Sequence, residues 1–98
     1  MIVNWTPNSL NSYFNIIDFL AINWTKKEIN NFVSETEHTI ELIKSNPFLF
    51  KKYSKFENVR KGYINKFISL YYRVSEVNKE VELLIFWDNR QNPNDLKL

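Results

Sequence analysis

The stretch Leu83-Leu84-Ile85-Phe86-Trp87-Asp88-Asn89-Arg90-Gln91-Asn92-Pro93 decides how this chain is read. Five consecutive apolar residues give way at once to polar ones, with a proline soon after. A short apolar run bounded by turn residues fits a strand covered on both faces. Extended back to Val81, with Glu82 its one charge, the run predicts a central strand over residues 81–87. Just past its end stands Arg90, a permanent cation at the mouth of a buried strand. Two accounts are open. Arg90 caps Asp88 or a strand-end carbonyl, or it holds an anion through its planar, two-pronged guanidinium.

Moving toward the N-terminus, residues 75–80 (Ser-Glu-Val-Asn-Lys-Glu) read as a polar turn. Before it, Ile68, Leu70, Tyr72 and Val74 alternate with Phe67, Ser69, Tyr71 and Arg73. Earlier still, Val59, Lys61 and Tyr63 alternate with Asn58, Arg60 and Gly62. Period two marks strands, and sequential strands with short links favour an antiparallel meander.

Upstream of residues 47–57, which read as an irregular connection, the period lengthens. Ile29, Phe32, Val33, Thr36, Ile40 and Ile43 lie on one face of a helix. Thr25-Lys26-Lys27-Glu28 opens that helix as a capping box, and Asn46-Pro47 closes it. Leu10, Tyr13, Phe14, Ile17, Leu20, Ala21 and Trp24 place an earlier helix from about Pro7 to Ile22, with Thr6 as N-cap. Ile2–Trp5 is a short strand that pairs at a sheet edge. The reading is a single α+β domain over residues 1–98: an N-terminal strand and a two-helix hairpin packed on a twisted antiparallel sheet.

Composition excludes several classes. With 44% hydrophobic and 16% aromatic residues, the chain carries enough apolar material for a core. Cysteine is absent, so no disulfide or thiolate site exists, and the single glycine, Gly62, excludes a glycine-rich phosphate loop. The opening residues lack a basic and an apolar signal region, and no apolar run approaches bilayer length. A cytoplasmic address with no membrane association is expected. The net charge of +2 hides a strong asymmetry: residues 1–50 and 74–98 carry −2 each, while residues 51–73 carry +6. That excess suits either a polyanion or a solvated edge that blunts strand pairing.

The parts of an ordinary active site are scarce. His38 has no metal-ligand neighbours at the right spacing, so it reads as a helix-surface histidine. Glu35, Glu37 and Glu41 read as a wet helix face, and Ser9, Ser12 and Ser69 lack a base. No metal or cofactor is expected. What remains is a set of cations and rings: Arg60, Lys61, Lys66, Tyr71, Tyr72, Arg73 and Arg90, with Lys51, Lys52 and Lys55 just upstream. Cations and rings on a sheet suit a nucleic-acid backbone with stacked bases, and equally an acidic protein.

The order of elements, with the phrases VRKGYINKFISLYYRV (59–74) and LLIFWDNRQNP (83–93), resembles the RelE/ParE family of bacterial toxins. The opening VNWTPNSLNSYFNIIDFL resembles that family's first strand and helix. The resemblance implies the toxin of a type II toxin–antitoxin pair that arrests growth, and a partner antitoxin whose disordered segment folds over it. One branch of the family cleaves mRNA on the ribosome as a metal-independent endoribonuclease; another inhibits DNA gyrase. For the cleaving branch the resemblance nominates Arg60, Lys61 and Arg90 as catalytic cations that stabilise a crowded phosphate. Lys51, Lys52, Lys55, Lys66, Tyr71 and Arg73 are nominated for substrate or partner binding. Ser69 stands where that branch carries an arginine, and the tail 91–98 holds no Tyr or His. A third account is a non-catalytic binding module with a basic sheet.

Overall fold

The computed structural model describes residues Met1–Leu98. The elements run β1 (Ile2–Trp5), α1 (Pro7–Asn23), α2 (Lys26–Ser45), β2 (Val59–Tyr63), β3 (Ile68–Ser75) and β4 (Glu80–Asp88), then a short 3-10 turn at Pro93–Asp95. The four strands form one sheet in the order β1-β4-β3-β2. Strands β2, β3 and β4 make the antiparallel meander read from the sequence. Strand β1 instead lies parallel to β4, with Ile2 opposite Glu80 and Trp5 opposite Leu83. The sheet is therefore mixed rather than wholly antiparallel. Parallel pairing needs a long crossover, and the chain from α1 through β3 supplies it.

β4 is central, as its apolar run predicts, with β1 on one edge and β3 on the other. Its register with β3 slips between Tyr71 and Tyr72: Tyr72 faces Leu83, whereas Tyr71 faces Ile85. Leu84 is the extra residue of a bulge, which re-aims every side chain beyond it. Simple alternation from Val81 and Leu83 would send Ile85 into the core. After the bulge Phe86 takes that place and is 3% exposed. There it stacks on Trp5 at 5.5 Å and meets Tyr13 at 5.2 Å.

Helix α1 is bolted to this strand by small polar side chains. Thr6 accepts the Ser9 N–H at 3.1 Å as N-cap and donates its hydroxyl to the Leu83 carbonyl at 2.7 Å. Ser12 Oγ accepts the Phe86 N–H, beyond the end of the β1 pairing, at 2.9 Å. Ser9 is fully buried and donates to the Thr6 carbonyl. The inward face of α1 is thus Ser9, Ser12, Tyr13, Ile16, Ile17 and Leu20, while Leu10, Phe14 and Trp24 are exposed. The apolar stripe read from the sequence is rotated because the close approach to β4 takes serines.

Helix α2 follows its sequence pattern more closely. Phe32, Thr36, Thr39 and Ile43 are buried, and His38 is exposed. Thr39 donates its hydroxyl to the Tyr63 carbonyl at 2.9 Å. The buried Thr36 hydroxyl has no partner.

Residues 47–57 are less irregular than expected. Lys61 donates its N–H to the Lys51 carbonyl at 3.0 Å, and Tyr53 donates to Val59 at 2.8 Å, so this segment runs along the free edge of β2. Pro47 is held by the Tyr72 hydroxyl, which donates to its carbonyl at 2.8 Å from a fully buried ring. These hydroxyls predict opposite outcomes. Tyr72→Phe orphans a buried carbonyl and lowers the unfolding free energy by about 1–2 kcal/mol. Thr36→Val removes an unpaired buried hydroxyl at constant shape and raises it by up to about 1 kcal/mol. Urea denaturation of the two variants against the parent chain measures both.

Candidate functional site

Arg90 follows β4 in the turn that ends the strand. Its Nε and Nη2 donate to the two carboxylate oxygens of Asp88 at 2.9 and 2.7 Å, and its backbone N–H donates to the same carboxylate at 2.9 Å. The guanidinium carbon lies 4.3 Å from the centroid of the Phe67 ring, and the Lys66 ammonium lies 4.9 Å from the same ring. Phe67 is fixed in turn. The Asn65 side chain accepts the N–H groups of Phe67 and Ile68, and the Phe67 carbonyl accepts from Asn89 at 2.8 Å. Asn89 also exchanges hydrogen bonds with the Ser69 hydroxyl.

This corner is built from the β2–β3 turn and the end of β4, which the register brings together through Ile68 and Asp88. The Arg90 side chain stays 58% exposed, so one edge of its guanidinium is committed to Asp88 and the other faces solvent. Hydrogen bonds from Arg90 hold the Asp88 carboxyl below the usual carboxylate range, and the pair raises the guanidinium correspondingly. Of the two accounts given for Arg90 from the sequence, the Asp88 cap is the one observed. Beside it a cleft of about 530 Å³ runs between the helices and the strand end, with Phe19, Trp24, Phe67, Glu28, Glu35 and Arg90 on its walls.

Apart from Lys66, the other nominated residues do not gather here. Arg60 turns to the helix side of β2, where Nη1 donates to the Phe50 carbonyl at 2.7 Å and the guanidinium carbon sits 5.0 Å from the Phe48 ring centroid. Lys61, one residue on, faces the opposite side of the sheet, its ammonium 5.6 Å from the Tyr63 ring and 5.8 Å from the Tyr71 ring. Strand alternation makes this divergence unavoidable. Tyr71 is 3% exposed and packs edge-on beneath Tyr53 at 5.0 Å, so its face is not open to a base. Burial, with Tyr53 and Tyr63 beside it, pushes its phenol up to about 12. Arg73 pairs with Glu82 across the strands at 3.6 Å. Lys51, Lys52 and Lys55 are exposed on the edge segment.

The residue that sequence reasoning passed over is Phe67. It lies one place before β3, and alternation alone gives it no task. Its signal was local: an asparagine two residues earlier makes an Asx turn, and a lysine adjoins it. No three His, Asp or Glu side chains come within metal-holding range of one another.

The Asp88–Arg90 pair has a directional consequence. A carboxylate held low by a native partner adds stability that is fully present above its unfolded pKa and is lost as pH falls through its native value. Arg90→Gln moves the Asp88 carboxyl upward, toward the ordinary range, and removes that acid-side contribution. A carbon-detected NMR titration of Asp88 in both proteins reads the shift.

No family model matches the chain, and no curated protein matches it. Solved structures do. The YoeB/ParE toxin from Agrobacterium tumefaciens superposes with a TM-score of 0.68 at 18% identity, covering 91% of this chain and 99% of that one. A chain of the chromosomal ParDE TA system from P. aeruginosa gives a TM-score of 0.68 at 18% identity, covering 90% and 95%. The helical hairpin, the mixed sheet and the order of elements together are the RelE/ParE toxin-like α+β fold, carried over nearly the whole length of both structures.

Proposed function

We propose that this single domain is the toxin of a type II toxin–antitoxin pair, that it arrests growth in the cytoplasm, and that it does so by gripping its target rather than by cutting RNA. The observation that carries the toxin reading is the fold, matched end to end by proteins described as a YoeB/ParE toxin and a ParDE TA system. No helix is long and apolar enough to cross a membrane, in keeping with that setting.

The choice of gripping over cutting rests on the division of the three nominated catalytic cations. Cleavage by charge stabilisation needs donors that converge on one phosphate. Arg60 is tied through Nη1 to the Phe50 carbonyl on the helix side of β2, Lys61 faces the other side of the sheet, and Arg90 stands apart from both past β4. Tyr71, one of the two tyrosine rings beside Lys61, is buried and holds its proton far above neutral pH. Inhibition of DNA gyrase requires a fitted surface and no such convergence. On this reading Arg90 and Lys66, fixed on Phe67, are the contact, and Arg90 binds a phosphate or carboxylate of the target.

A cognate antitoxin completes the proposal. The +6 segment 51–73 and the exposed Leu10, Phe14 and Ile22 suit an acidic chain with apolar anchors, ordered as it binds. Induced expression with separate pulse labels for protein and DNA synthesis tests the target. DNA synthesis is expected to fall first. Early loss of translation with cut mRNA overturns gripping in favour of cleavage, and no arrest overturns the toxin reading itself. Arg90→Ala is expected to relieve the arrest while changing the unfolding free energy by no more than about 1 kcal/mol, as an exposed ion pair implies.

A further inference from the structure

The cleft beside Arg90 has an interior of different character from its cationic rim. Three elements wall it. On α1, Ile16, Phe19 and Leu20 fall three and four residues apart, and Trp24 follows at the helix end. On α2, Glu28, Phe32 and Glu35 fall at i, i+4 and i+7, one stripe of a helix. Phe67, Asp88 and Arg90 close it from the strand ends. Asp88 lies two residues beyond the buried Phe86 on β4 and opposite the buried Ile68 of β3, so it belongs to the helix-covered side of the sheet. All three walls therefore meet on one side.

These walls carry more negative charge than positive. Three carboxylates, Glu28, Glu35 and Asp88, meet one guanidinium, and Asp88 is already paired with it. Glu28 is engaged in the capping box, accepting the Thr25 N–H at 3.0 Å. Glu35 is half-buried and takes part in neither of the chain's two ion pairs. An anion entering the cleft meets two uncompensated carboxylates, whereas a cation meets a partner. Lys66 does not line the cleft, so the anion contact proposed for Arg90 and Lys66 lies outside, at the rim. Apolar surface supplies the rest. Phe19 is 53% exposed and Trp24 59%, so both rings keep open faces, which attract a cation and pack an apolar body. The volume of about 530 Å³ is that of a small-molecule pocket. We propose that this cleft binds a small organic cation, its ammonium group on Glu35 and its apolar body against Phe19, Trp24 and Phe67. The site stands independently of the growth-arrest reading, since it is tested by binding alone.

The purified full chain is titrated with three probes that share one ring and differ in charge: tryptamine (cationic), tryptophol (neutral) and indole-3-propionate (anionic). Amide NMR shifts follow each titration. Tryptamine is expected to shift Phe19, Trp24, Asn31 and Glu35 and to bind about fivefold tighter than tryptophol, the factor a partly exposed ion pair supplies. That advantage is expected to shrink as salt rises. The anion is expected to bind weakest. Glu35→Gln keeps the shape of the wall and is expected to bring tryptamine down to tryptophol while leaving tryptophol unmoved. Trp24→Leu is expected to weaken all three probes, because it removes ring surface and no charge. Glu41→Gln, on the exposed part of α2 outside the cleft, is expected to change nothing. Trp24 and Glu41 are exposed and Glu35 is unpaired, so these variants keep the fold. Equal binding of the three probes overturns the proposal, as does tighter binding of the anion, or a tryptamine preference that Glu35→Gln leaves in place. Shifts confined to residues outside the cleft, or no binding, overturn it too. Much tighter binding of an acetylated Lys-Trp-Lys tripeptide than of tryptamine overturns the small-molecule assignment in favour of a partner's basic segment.

Discussion

The rest of the molecule depends on β4 being paired along both edges. A strand between two neighbours has its backbone donors and acceptors satisfied by the ladder, so it tolerates apolar side chains on both faces. Val81, Leu83 and Phe86 then enter the core, at about 1.5–3 kcal/mol for each side chain fully buried. The pairing also ties the two ends of the chain together, since β1 begins at residue 2 and β4 ends at residue 88. Thr6 shows the economy of that arrangement. One hydroxyl caps α1 and bonds the Leu83 carbonyl, fixing the start of the helix against the middle of the sheet. Ser12 adds a second bolt by accepting the Phe86 N–H, beyond the point where β1 ends opposite Leu83. Helix position, bulge and aromatic cluster are thus one constraint seen from three sides.

The same frame explains why the cations are dispersed. β2, β3 and the end of β4 each contribute basic residues, but alternation sends neighbours to opposite faces and the strands separate their ends. Arg60 and Lys61 are adjacent in sequence and diverge in space. Arg90 and Lys66 are distant in sequence and share one ring. Each cation is steadied by an aromatic face, a carboxylate or a carbonyl, which reduces the rotamer freedom that a ligand would otherwise have to freeze. The result is a set of separately held cations rather than one convergent centre.

Much of the fold was legible because periodicity and punctuation agreed. Thr6-Pro7, the Thr25–Glu28 box and Asn46-Pro47 bound the helices within a residue or so of their observed ends. The apolar run at 83–87 placed β4 in the middle of the sheet. The inward face of α1 was misjudged because a hydrophobic pattern counts Leu10 and Phe14 as core. The actual contact with β4 is close enough to need Ser9 and Ser12, whose value lies in hydrogen bonds and small size. The segment 47–57 was read as irregular since its ladder with β2 consists of backbone bonds, to which side-chain pattern is blind. At the candidate site Arg90 and its bond to Asp88 were both visible in the local run, two residues apart. Phe67 was not, because its role comes from a residue 23 positions away.

The sequence alone determined the α+β class, the helix limits, the meander, the central strand and the basic character of residues 51–73. These follow from near-neighbour physics: capping, period and charge density act within a few residues. Only the tertiary structure decided the direction of β1, the bulge that sends Phe86 inward in place of Ile85, and the grouping of the cations. Each of those depends on pairing between segments far apart in the chain. A one-residue slip in that pairing exchanges the faces of every side chain beyond it. Which arginine meets which ring is therefore set by the register, and local pattern does not encode it.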